Sequence, residues 1–133
     1  MWTRRILVLL TALALVWTAG GCGTPEDESA WIPGVQPLLE AAESVEAEMS
    51  RDDFDPEVAK SLIFETREAL AAYEPVDEHG AEFDQLIHDA MTYYISALKA
   101  HDKKLPGTTR QWIDQANGTV EEARQLMERY EQE

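Results

Sequence analysis

Residues 112–130, WIDQANGTVEEARQLMERY, can be read in two ways, and the choice between them sets the number of helices in the chain. Asn117-Gly118 is a tight-turn dipeptide, and Thr119 with Glu122 has the spacing to cap a new helix after it. Yet Ile113, Ala116, Val120, Ala123, Met127 and Tyr130 keep steps of three and four straight through the dipeptide, as one helix face does. A glycine inside a helix costs about 1 kcal/mol, less than interrupting a continuous buried stripe. The periodicity therefore predicts a single long final helix.

Working back toward the N-terminus, Thr108 with Gln111 forms a capping box for that helix, and Leu105-Pro106-Gly107 stops the one before it. The third segment places Phe83, Ile87, Ala90, Tyr94, Ala97 or Leu98, and His101 on one face. Leu86, Met91 and Ile95 widen that face, so this helix should be the most buried. His101, Lys103 and Lys104 suit the negative end of its dipole. Glu74-Pro75 separates it from a second segment, which opens with Asp55 as cap and Pro56 at the first helical position. The expected buried face of the second segment is Val58, Leu62, Ile63, Thr66, Ala69, Leu70 and Tyr73. The first segment repeats the rhythm at Val35, Leu38, Ala42, Val45 and Met49.

Four amphipathic segments, short links and no alternating strand pattern predict an all-α fold, an antiparallel up-down bundle of four helices over residues 35–133. The bundle reduces to three helices if the first lies across the others. Residues 23–34, GTPEDESAWIPG, show no periodicity and read as a flexible tether reaching roughly 20 Å, with Trp31 and Ile32 marking where it docks on the domain.

Ahead of the tether, Arg4 and Arg5 precede an apolar block from Ile6 to Trp17, broken only by Thr11. This is the order of an export signal. Stretched to Gly21 the block has about 16 residues, short of the roughly 20 a spanning helix needs. The small residues Ala19, Gly20 and Gly21 then lead into Cys22, the single cysteine of the chain. The run Ala19-Gly20-Gly21-Cys22 resembles the lipobox of bacterial lipoproteins, with Ala19 standing where that family usually has Leu. The resemblance implies that residues 1–21 are a signal peptide cleaved between Gly21 and Cys22. It also implies that the Cys22 thiol carries a diacylglyceryl group and that residues 22–34 tether the bundle to the lipid bilayer. Gly23 after the cysteine, where Asp would retain the protein, implies outer-membrane anchoring toward the periplasm in a diderm cell, and the outer face of the cytoplasmic membrane otherwise. "TRRILVL" partly matches a twin-arginine export motif, but the Leu-rich block favours general secretion. The bundle region loosely resembles small helical lipoproteins of unassigned function, with Pro75 leading into FDQLIHDAMTYY; that resemblance carries no activity with it. Asn117-Gly118-Thr119 is also a glycosylation sequon, which has no weight in a bacterial lipoprotein.

The chain has 26 acidic and 11 basic side chains, a net charge of −15, and cleavage at Cys22 would remove two bases and no acid. Such a surface repels nucleic acid and anionic headgroups, so no nucleic-acid partner is expected. The acids are spread over every segment, which favours a solubilising or salt-adapted surface over a recognition tract. One cysteine allows no internal disulfide, so stability must come from packing.

Chemistry-bearing constellations are sparse. His79, His88 and His101 lack the i, i+4 His pair of a zinc helix, and no Glu-x-x-His occurs for a di-iron centre. Asp84 with His88 is the one weak candidate for a metal, and a surface hydrogen bond explains it better. No Gly-x-Ser-x-Gly elbow and no haem-attachment Cys pair is present. Met91, Tyr93 and Tyr94 read as core packing before they read as a pocket. The expectation is a non-enzymatic, cofactor-free, membrane-anchored module that binds or scaffolds another envelope protein, with a small solute or a cation as the alternative ligand.

Overall fold

The computed structural model describes residues 29–131. Among these residues run four helices and no strand: α1 (Ile32–Met49), α2 (Pro56–Ala72), α3 (Glu78–Asp102) and α4 (Pro106–Glu131). None of them is long and apolar enough to cross a membrane. The fold is an all-α bundle of four helices.

Helix α4 passes through Asn117-Gly118 without a break. The dipeptide tolerates helix because Asn117 spends its side chain on tertiary partners. The Tyr94 hydroxyl on α3 donates to Asn117 Oδ1 at 2.6 Å, and Asn117 Nδ2 donates to Ser50 Oγ at the end of α1 at 3.1 Å. An asparagine so engaged cannot offer its amide to a local turn. Thr119, expected as an alternative cap, instead donates to the Gln115 carbonyl inside the helix at 3.0 Å. The capping box at Thr108 and Gln111 is a correction as well. α4 already begins at Pro106, whose fixed φ suits a first helical position, and the Thr109 amide and hydroxyl both donate to the Leu105 carbonyl. The link before it, residues 103–105, turns through Lys104 at φ 60°, left-handed backbone without a glycine.

The start of α1 moves too. The tether was expected to run to Gly34, with the domain from Val35, yet α1 begins at Ile32, and Trp31 and Ile32 are buried. Pro33 suits the first turn, but Gly34 and Pro37 weaken the helix locally, and burial overrides them. The Trp31 ring packs against Phe83 of α3 (5.9 Å), Tyr130 of α4 (6.1 Å) and His79 of α3 (6.2 Å). Burying one such side chain contributes about 2–3 kcal/mol, enough to order the turn that follows it.

The buried faces of α1, α3 and α4 follow the expected stripes, and α3 has the broadest of them. His101 is the exception on α3, being exposed and packed on the Phe54 ring at 4.8 Å. On α2 the face is rotated: Ala59, Ile63, Thr66 and Leu70 are buried, Leu62, Ala69 and Tyr73 are half-buried, and Val58 is exposed. Asp55 caps α2 as expected, accepting from the Glu57 amide at 2.9 Å. Arg124 adds a polar tie between α4 and α1, donating to Glu43 and Glu46 at 3.0 Å each and also to Glu121 on its own helix.

Three substitutions test this frame. A Cβ at Gly118 would meet no neighbouring atom, so Gly118→Ala should raise stability by about 0.5–1 kcal/mol. At Gly80 the Tyr73 hydroxyl occupies that space, so Gly80→Ala should destabilise; thermal unfolding followed by circular dichroism reads both. The Tyr94 phenol is fully buried, and burial first, then Glu46, holds its pKa above the usual value of 10.0. Unfolded Tyr94 releases its proton near pH ~10 while the folded group retains it, so stability should fall as pH rises past that point. Tyr94→Phe should lose about 1 kcal/mol at neutral pH and flatten the alkaline fall in chemical-denaturation curves, leaving the contribution of Tyr73, whose pKa burial also raises.

Candidate functional site

The sequence directs attention first to Cys22 and Gly21, which lie outside the described residues, and then to Asp84 and His88. His88 Nε2 stands 3.9 Å from Asp84 Oδ2, beyond hydrogen-bond range, with the imidazole half exposed. The three histidines go to three places: His79 lies tilted against Tyr130 at 4.3 Å, His88 stands beside Asp84, and His101 packs on Phe54. Among the described residues no group of three or more His, Cys, Asp or Glu side chains converges as a metal set.

Asp84 has a second neighbour that the sequence did not reveal. Asp77 and Asp84 both act electrostatically on the Tyr73 phenol and, after burial, hold its pKa above the ordinary value. Tyr73 Oη, Asp84 Oδ1 and Trp31 Nε1 are buried without a hydrogen-bond partner among the described residues. Packing dominates this end of the bundle, where Trp31, Phe83, Tyr130 and His79 fill the space between α1, α3 and α4.

The concavity with the clearest chemistry lies between α2 and α3, a recess of about 700 Å³. It forms because α2 packs on α1 and α3 but not on α4, so one of its flanks is left open. Ile63, Phe64 and Ala71 line it from α2, and Ile95 and Leu98 from α3. Phe64 is 61% exposed, although large aromatics are ordinarily covered. The cause is visible in the order Val58-Ala59-Lys60-Ser61-Leu62-Ile63-Phe64. This run carries more apolar residues than one stripe of a helix can hold, and Ala59 and Ile63 take the buried face.

Charge around the recess departs from that of the chain. Lys60, Arg67 and Lys99 line it against Glu68 and Asp102, so cations are in the majority here while acids outnumber bases more than twofold in the whole chain. Lys60 is held by Glu57 at 3.4 Å. Arg67 and Lys99 form no ion pair among the described residues, and neither do Lys103, Lys104 and Arg129, whereas Arg51, Arg110 and Arg124 do. The recess thus joins an apolar floor to charged side chains of both signs from both helices.

Sequence reasoning missed this site because Phe64 fell outside every expected face and the charge count averaged three cations away. The available signal was an apolar residue interleaved with bases, as in Lys60, Phe64 and Arg67. No family model, no curated protein and no solved structure matches this chain.

If Phe64 serves the recess and not the core, Phe64→Ser should change the urea unfolding free energy by no more than about 0.5 kcal/mol. Phe83→Ala, at a fully buried ring, should lose about 3–5 kcal/mol in the same measurement.

Proposed function

We propose that the protein is a lipid-anchored envelope protein whose helical bundle binds a small apolar solute in the α2–α3 recess and performs no chemistry on it. The observation that carries this reading is the half-open apolar recess with Phe64 exposed on its wall. Its volume falls within the ~300–1,000 Å³ of small-molecule sites. The scaffolding reading, in which another envelope protein docks on the bundle, needs about 800 Å² on each side of a standard interface. The other exposed large hydrophobics do not extend the recess into such a patch. Val58 lies at the start of α2, Val76 in the link before α3 and Leu105 in the link before α4. A cation reading has only the Asp84–His88 pair in its favour.

Anchoring rests on Ala19-Gly20-Gly21-Cys22 behind the short apolar block. Two acyl chains on Cys22, at about 0.8 kcal/mol per buried methylene, would hold the bundle stably at a bilayer where one short chain would not. The acidic surface would keep the domain clear of anionic headgroups. A membrane-held binder with an apolar recess is suited to receiving solutes that partition between bilayer and water.

The expected behaviour of Cys22→Ser is an uncleaved precursor that takes up no fatty-acid analogue when cells are labelled and the protein is immunoprecipitated. Normal cleavage and labelling in that variant would reject the anchor. For the recess, a neutral alkyl photoprobe added to membranes carrying the wild-type protein should crosslink to peptides from residues 60–71 and 95–102. Phe64→Glu should suppress those adducts.

A further inference from the structure

We infer that a second copy of this chain docks on the recess, with the two α2 helices antiparallel and the two Phe64 rings meeting on the two-fold axis. A solute entering the recess displaces that copy; the displacement alone rests on the reading of the recess as a solute site.

One ridge of α2 is complementary to its own reverse. Lys60, Phe64 and Glu68 succeed one another at four-residue steps, all three exposed and all lining the recess. An aromatic ring thus stands at the centre, with opposite charges one turn away on either side. In the commonest class of helix packing, ridges of this spacing lie alongside one another. A two-fold interface sets one patch against itself, so that residue i meets residue j and j meets i. Turned antiparallel about Phe64, the ridge brings Lys60 to the partner's Glu68, Glu68 to the partner's Lys60, and Phe64 to its counterpart. Parallel docking would set Lys60 on the partner's Lys60 and Glu68 on the partner's Glu68, like charge on like.

Both charges can take part. Glu68 forms no ion pair among the described residues. Lys60 is held only by Glu57 at 3.4 Å, and both of those side chains are more than half exposed, so the contact is weak and exchangeable. Two copies of net charge −15 repel one another, but that repulsion is relieved here, where Lys60, Arg67 and Lys99 line the recess against Glu68 and Asp102. Ile63, Ile95 and Leu98 offer the partner's ring an apolar floor, and docking withdraws both Phe64 rings from water. Val58, Val76 and Leu105 lie outside the recess and add nothing to the contact. It therefore belongs with the reversible encounters that bury less than about 1,200 Å² in total, a strength that a solute can overcome.

The test uses the full chain, coexpressed in two versions with a donor or an acceptor fluorophore at the C-terminus, and reads energy transfer between them in intact cells. The wild type should show more transfer than a pair carrying Phe64→Glu. Lys60→Glu alone and Glu68→Lys alone each turn both symmetry-related contacts repulsive and should weaken association roughly tenfold. Combined in one chain, the two substitutions restore opposite charges and should return association to within about threefold of the wild type. The neutral alkyl photoprobe should lower wild-type transfer as adducts form on peptides from residues 60–71, and should label the single-reversal variants more heavily, since their recess is uncovered. Wild-type transfer no greater than that of Phe64→Glu overturns the dimer. So do single reversals without effect, or a combined variant that stays apart although its circular dichroism is native; recess adducts in the same cells keep the solute site standing. Transfer that persists through full labelling overturns the displacement. Absence of adducts even in the single-reversal variants overturns the solute reading, while transfer that obeys the charge reversal still supports the dimer.

Discussion

The hydrogen bond from the Tyr94 hydroxyl to Asn117 Oδ1, at 2.6 Å, is the constraint to which the other packing choices conform. Tyr94 is fully buried, so its hydroxyl must find an acceptor or cost about 1–3 kcal/mol. Asn117 lies on α4 at the point where the local sequence most favours a turn. By accepting from α3 and donating to Ser50, its side chain joins three helices and keeps α4 straight. The continuous stripe from Ile113 to Met127 can then lie along α3 and α1. Arg124, two turns further on, repeats the tie in charged form through Glu43 and Glu46. The first tie joins α1, α3 and α4, the second α1 and α4, and neither includes α2.

That asymmetry explains where the recess occurs. α2 is held by a shorter buried face, Ala59, Ile63, Thr66 and Leu70, against α1 and α3. Phe64 faces outward into the space that closer packing of α2 on α3 would have filled. A fold whose rigidity is concentrated in three helices can leave a fourth with an open flank without losing its core. Binding at that flank would then cost little of the domain's stability.

Much of this architecture is legible in the sequence, because three-four periodicity reports burial directly wherever a helix has one apolar face. That holds for Val35 to Met49, for Phe83 to Leu98, and for Ile113 to Met127, each buried as its spacing requires. It fails at α2, where apolar residues surround the helix and the phase becomes ambiguous; Val58 was assigned inside and lies outside. It fails also at helix starts, since Gly34 and Pro37 locally oppose a helix that Trp31 enforces from a distance through rings on α3 and α4. The recess was the least legible part. Its walls come from residues about thirty positions apart, and no spacing within one segment brings the α2 lining together with the α3 lining.

The burial of Trp31 has a mechanical side. The compact helical unit begins at Trp31, so any tension reaching the bundle from its N-terminal side arrives first at that ring. The turn behind it is weak as a spring, because Pro33 and Pro37 have no amide to donate and Gly34 adds slack. Such a load would pass from backbone to side chain and spread through Phe83, Tyr130 and His79 onto two other helices. A pull on the chain at residue 31 would thus be met by ring packing at the margin of the bundle before it reached Tyr94 and Asn117.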